Sequence, residues 1–152
     1  MEDRSAYRVL AWWTSGKAGI ARSEQVPTVI HFTAPVGFGG DPGRWTPEEL
    51  MLAALASCFT TTFQAISTYS KLSYADLEVT VDGEIEKTSS GFQFKSIGIK
   101  PRLTITDEEL RPLAERVLHK SEALCLVSRA ISTPKTFTPE IMVGVSHHPV
   151  AQ

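Results

Sequence analysis

The sequence predicts one α+β domain, and three observations carry that expectation. Aromatic and β-branched runs at 7–13 and 28–32 precede a long apolar helical stretch at 46–69. An alternating pair of extended stretches at 77–86 and 92–103 follows it, and a capped helical region with a last extended run closes the chain. At 152 residues, 42% hydrophobic and 21% charged, the chain is long enough for one core and leaves little for a second domain.

The elements can be justified in order. YRVLAWW and TVIHF read as strands, with SGKAG between them as a turn candidate. GFGGDPG, with four glycines and a proline, reads as a loop; it lacks the Gly-Lys-Ser/Thr ending and the glycine spacing of a nucleotide-binding turn. Thr46 as N-cap, Pro47 at the first helical position and Glu49 three residues on make a capping box. The helix they start meets no Gly or Pro before Tyr69. Leu50, Met51, Leu52, Ala53, Ala54, Leu55, Ala56, Cys58, Phe59 and Phe63 cover most of its circumference, which predicts burial on nearly all sides. Ser57, Thr61, Gln64 and Thr68 form its narrow polar seam. A chain of this size cannot easily cover such a helix alone, so a homodimer is expected.

LEVTVDGEIE then places Leu77, Val79, Val81 and Ile85 inward against an outward acidic row. FQFKSIGIKPRL pairs with it as an antiparallel hairpin with a longer loop at KTSSG. Lys95, Lys100 and Arg102 are set to pair with the acidic row, and the change of apolar parity predicts a bulge near Ser96. Thr106 with Glu109 suggests another capping box. Pro112 then either opens the main helix after a separate first turn or kinks it. That helix is expected to end near Glu122, before a short helix in CLVSRAI carrying Cys125 and one final strand in TFTPEIMVGV.

Charge and targeting signals restrict the functional classes. Fifteen basic against seventeen acidic residues give a formal charge of −2, which offers no field for nucleic acid or an anionic membrane. MEDRSAYRVL has charges and no apolar signal core, and no unbroken apolar run reaches the roughly 18 residues of a spanning helix. A cytoplasmic protein without membrane or nucleic-acid partners is expected. Two cysteines are too few for a disulfide scaffold, and in a reducing compartment a disulfide is usually transient and catalytic.

On the residues alone, Cys58 and Cys125 read first as small buried hydrophobes. His31, His119, His147 and His148 fall at no ligand-like offset from either thiol, so neither a metal nor another cofactor is expected. Two thiols on different helical segments nevertheless suit a cycle of peroxide attack followed by disulfide resolution.

TPEELMLAALASCF, followed 67 residues after its cysteine by CLVSRAI, resembles the OsmC/Ohr family of osmotically inducible and organic hydroperoxide resistance proteins. The resemblance spans most of the chain. It implies an intertwined homodimer with antiparallel sheets around two central buried helices, and a thiol peroxidase site at the subunit interface. By the same resemblance Cys58 is the peroxidatic thiol and Cys125 the resolving one. The substrate would be an organic hydroperoxide, and a dithiol reductant would close the cycle.

Glu48 matches the family's helix-start glutamate, which orients a thiolate-stabilising arginine. Ten residues of straight helix separate Glu48 from Cys58 by roughly 15 Å, so Glu48 must act on the partner's site or through a long basic side chain. The residue facing that role differs here: Ser15-Gly16-Lys17 stands where the hydroperoxide-resistance branch has Gly-Gly-Arg, and lysine lacks the planar fork of arginine. Arg22, Arg44 and Arg129 are substitutes for Lys17. Leu126 also replaces the proline that follows the resolving cysteine in many relatives. Both departures place the chain in an outlying OsmC-like subgroup. A second reading stays open, a non-catalytic dimer that binds an apolar or acyl ligand in the same pocket.

Overall fold

The computed structural model describes residues 4–146, which divide into two compact units between Met51 and Leu52. The first contains an antiparallel sheet in the order β1 (Leu10–Ser15), β2 (Ala18–Arg22), β3 (Ile30–Thr33). β2 was not expected from the sequence, because AGIAR carries a single large apolar residue. Its two neighbours give it its strand character: β2 pairs along both edges, and its small Ala18, Gly19 and Ala21 are buried. A Cβ on Gly19 would stand 2.4 Å from the Phe32 ring. The expected turn lies at Gly16 and Lys17, with Gly16 at φ 52° and the Trp13 indole donating to its carbonyl at 2.9 Å.

The glycine-rich stretch opens with a 3-10 turn at Val36–Phe38 and continues as a loop. Gly40 is required there by contact, since a Cβ would lie 1.6 Å from the Ala34 carbonyl oxygen. α1 (Pro47–Tyr69) begins on the expected capping box: the Glu49 N–H donates to Thr46 Oγ1 at 3.2 Å, and the Thr46 N–H donates to Glu49 Oε2 at 3.0 Å.

Burial of α1 is one-sided within the chain, not on nearly all sides as its composition suggests. Leu55, Phe59, Phe63 and Ile66 are buried at helical spacing, whereas Ala54, Ser57, Thr61, Gln64, Ala65 and Thr68 are exposed. Thr61 and Thr68 turn their hydroxyls back to the carbonyls of Ser57 and Gln64, so the polar seam satisfies itself locally. With 23 residues and a most apolar 18-residue window of mean hydropathy 1.4, α1 is long and apolar enough to cross a bilayer by length and composition. This corrects the sequence estimate, which counted only unbroken runs. Phe59 instead packs on Phe137 with ring centroids 5.8 Å apart, and Phe63 meets Tyr74 edge-on at 5.1 Å.

β4 (Asp76–Thr88) and β5 (Gly91–Ile105) form the expected hairpin, but its loop is only Ser89 and Ser90, because pairing runs on to Thr88 and Gly91. The register passes from Glu84 opposite Ser96 to Ile85 opposite Phe94, leaving Lys95 as the extra residue of the expected bulge. Lys95 and Lys100 pair across the hairpin with Glu84 and Asp82; Arg102 reaches Glu140 instead. β5 is central, and its Ile97, Ile99, Pro101, Leu103 and Ile105 form the fully buried spine of the second unit.

The final run is not one strand. β6 (Lys135–Phe137) and β7 (Glu140–Val143) each pair in parallel with β5 and are separated at Thr138 and Pro139. Opposite that break stands Pro101, which has no N–H to offer, so two prolines interrupt the ladder at one level.

The expected Thr106 capping box is replaced by Asp107, whose carboxylate accepts the Glu109 N–H at 2.9 Å and caps a separate 3-10 turn, Glu108–Leu110. Pro112 then sits in the first turn of α2 (Arg111–Leu124), where its missing N–H costs nothing. Ala114, Val117, Leu118 and Ser121 are its buried stripe. α3 (Leu126–Ala130) follows after one residue, and His147 and His148 lie outside the described residues.

Candidate functional site

Cys125 occupies the elbow between α2 and α3 rather than a position on the short helix. With φ −61° and ψ 113° it ends α2 and caps α3, and its side chain is fully buried. Because α3 starts immediately after it, the N–H groups of Leu126 and Val127 have no intrahelical carbonyl to meet. Both point at the sulfur of Cys58 on α1, the Val127 N–H at 3.5 Å. Thr62, one turn along α1, brings its hydroxyl to 4.0 Å from the same sulfur. The fold therefore brings together two thiols from distant parts of the chain.

The two thiols are made unequal by their surroundings. For half-buried Cys58, burial alone pushes the pKa up, but the Val127 N–H, the Cys125 thiol, the Thr62 hydroxyl and the Leu126 N–H outweigh it, and the pKa falls below the ordinary 9.0. For Cys125, burial dominates. Against the help of the Ser128 N–H, burial and the neighbouring Cys58 push its pKa up to about 11. A protonated Cys125 donating to a thiolate at Cys58 is the arrangement both shifts describe.

The remaining expected residues are arranged differently. Lys17 lies in the first unit and donates to the carbonyl of Phe38, across the loop beside Gly39. Glu48 sits in the first turn of α1, with Oε2 buried and without a hydrogen-bond partner among the described residues. Arg22 and Arg44 are exposed in the first unit, and Arg129 is exposed in the last turn of α3. None of these cations is among the groups that lower the Cys58 pKa. Apart from Cys125, that work falls to groups the sequence reading passed over. Thr62 was detectable as the i+4 neighbour of Cys58. The Leu126 and Val127 amides were not, since a main-chain donor leaves no trace in residue identity.

The OsmC-like protein family profile matches residues 39–140, a span containing both cysteines. The chain is 28% identical over 135 residues to the uncharacterized protein YmaD of Bacillus subtilis, covering 86% of this chain and 89% of that one. Its fold is similar to an OsmC-like protein of unknown function from Vibrio cholerae, with TM-score 0.77, 17% identity, and 91% and 100% of the two chains covered. It is likewise similar to an organic hydroperoxide resistance protein OsmC from Legionella pneumophila, with TM-score 0.72, 22% identity, and 92% and 100% covered. With the family profile spanning two thirds of its length and the α+β fold shared across nearly all of it, this chain belongs to the OsmC-like protein family.

Proposed function

We propose that the protein is a thiol-dependent peroxidase that reduces organic hydroperoxides in the cytoplasm, as a defence against oxidative or osmotic stress. The observation that supports this reading most is the inequality of the two thiols: a Cys58 whose pKa is lowered, in contact with a Cys125 held as the thiol. Two inert core cysteines would have no reason to differ in this direction, because burial raises both.

The cycle follows from that pair. The Cys58 thiolate attacks the terminal oxygen of the hydroperoxide, the O–O bond breaks, and the alkoxide leaves and takes up a proton as the alcohol. Cys58, oxidised by two electrons, is then a sulfenic acid. Cys125 attacks its sulfur, an S–S bond forms, and the hydroxyl leaves with the Cys125 proton as water. A dithiol reductant restores both thiols by exchange. Cys125, protonated at neutral pH, does not compete for the peroxide, which sets the direction of the cycle.

By the family resemblance, Glu48 and Lys17 are proposed as further residues of the reaction. A buried carboxylate oxygen without a hydrogen bond is a costly arrangement that a cation relieves, and Lys17 stands at the position of the family arginine. The proposed working unit is a homodimer of single OsmC-like domains. Support comes from the large apolar side chains left at the surface of one protomer, among them Tyr69, Trp13 and Leu126.

The test is intact mass before and after one equivalent of cumene hydroperoxide, on wild type and Cys125→Ser. Loss of two hydrogens in the wild type and a trappable sulfenic acid at Cys58 in the variant are expected. Two thiols still reduced after prolonged exposure would overturn the reading and turn attention to a bound apolar ligand.

A further inference from the structure

The five residues of α3 are too few to hold a helix by their own hydrogen bonds. Its first amides nevertheless stay directed at a sulfur on another helix. Something must fix the elbow at Cys125, and one residue of α2 contacts it twice. The Glu122 carbonyl accepts the Cys125 N–H at 3.3 Å, and the Glu122 carboxylate accepts the Ser128 hydroxyl at 3.0 Å. Ser128 is buried, Glu122 half-buried, and the second bond closes across the elbow from the last turn of α2 to the middle of α3. At the far end Lys135 donates to the carbonyls of Ile131 and Thr133, beyond the helix and away from its amides.

We infer that Glu122, acting through Ser128, is a positioning residue for Cys58: the pair clamps the elbow so that the Leu126 and Val127 N–H groups remain aimed at the sulfur. Charge plays no favourable part, since a carboxylate near a thiolate opposes its formation. The clamp works by geometry. Releasing it lets α3 fray, the amides turn to water, and Cys58 loses the donors that offset its burial. The inference rests on Cys58 being the reactive thiol, and the experiment separates the two.

The pH profile of Cys58 alkylation by iodoacetamide is measured on the full chain for wild type, Ser128→Ala, Glu122→Ala and Glu122→Gln, with the label located by peptide mass and the melting temperature taken on the same samples. Glu122→Ala and Glu122→Gln both lack the charge and differ in the acceptor, so their comparison isolates the hydrogen bond and stands even where Ser128→Ala does not fold. Expected is a midpoint shifted upward in Ser128→Ala and Glu122→Ala, with alkylation at neutral pH slowed roughly three- to tenfold, the worth of one hydrogen bond. Glu122→Gln should retain a midpoint at or below that of the wild type. Midpoints unchanged while melting falls would mean a merely structural contact and would overturn the inference; so would a glutamine variant shifted as far as the alanine one. A wild-type midpoint at the ordinary thiol value would overturn both this inference and the reading of Cys58 as the reactive thiol.

Discussion

The backbone N–H of Val127 lies 3.5 Å from the sulfur of Cys58, a residue 69 positions earlier in the chain. That contact joins the start of a five-residue helix to the middle of a 23-residue one, and it is the largest of the contacts that lower the Cys58 pKa, while burial raises that of Cys125.

Thiol reactivity should therefore separate by pH. Cys58 is expected to label with iodoacetamide below pH 9.0, and Cys125 to resist labelling until the pH nears 11. Peptide mapping of the labelled chain across the pH range checks both shifts. Equal labelling of the two thiols at every pH would contradict the assignment.

Stability should carry the same asymmetry. The Cys58 pKa is lowered on folding, so its thiolate contributes stability that is full above pH 9.0 and is lost as pH falls through the folded value. The Cys125 pKa is raised, so the folded chain keeps a proton the unfolded chain has shed, and stability declines as pH rises from 9.0 to about 11. Urea unfolding of wild type against Cys125→Ser over that window should show the steeper decline in the wild type.

Replacing Lys17 tests the cationic role proposed for its ammonium. Lys17→Ala should slow cumene hydroperoxide consumption about tenfold, the scale of one charge-assisted hydrogen bond. Lys17→Arg should match or exceed the wild type. An alanine variant with full activity would move the cationic role to Arg22, Arg44 or Arg129.

Helix α1 should depend on its cap. Thr46→Ala removes the acceptor for the Glu49 N–H and is expected to cost about 1 kcal/mol in urea unfolding, with Thr46→Ser nearly neutral.

Gly40→Ala should be the most damaging small substitution in the first unit. The added carbon would overlap the Ala34 carbonyl oxygen at 1.6 Å, so the loop must move, and a loss of about 2 kcal/mol or more is expected. Gly37→Ala, which meets nothing within 4 Å, is the control.

Much of this protein is local in origin and was legible without coordinates. Thr46, Pro47 and Glu49 define the start of α1 because a cap is chemistry among neighbours, and alternation defines β4 and β5 because strand period is two. The bulge at Lys95 followed from a change of parity in the same way. The cysteines suited a redox pair by their place on two helical segments, and only the family resemblance gave each a role. Other features needed tertiary partners. β2 is a strand because two neighbours pair along both its edges, and the final run splits because Pro101 faces its break. The coverage of α1, the shift of Cys58 by the Leu126 and Val127 amides, and the clamp from Glu122 to Ser128 belong to the same class. Sequence fixes which side chains a segment carries and the period at which they face a surface. What a main-chain amide donates to, and how much water a thiol loses, are set by chain segments that meet only on folding.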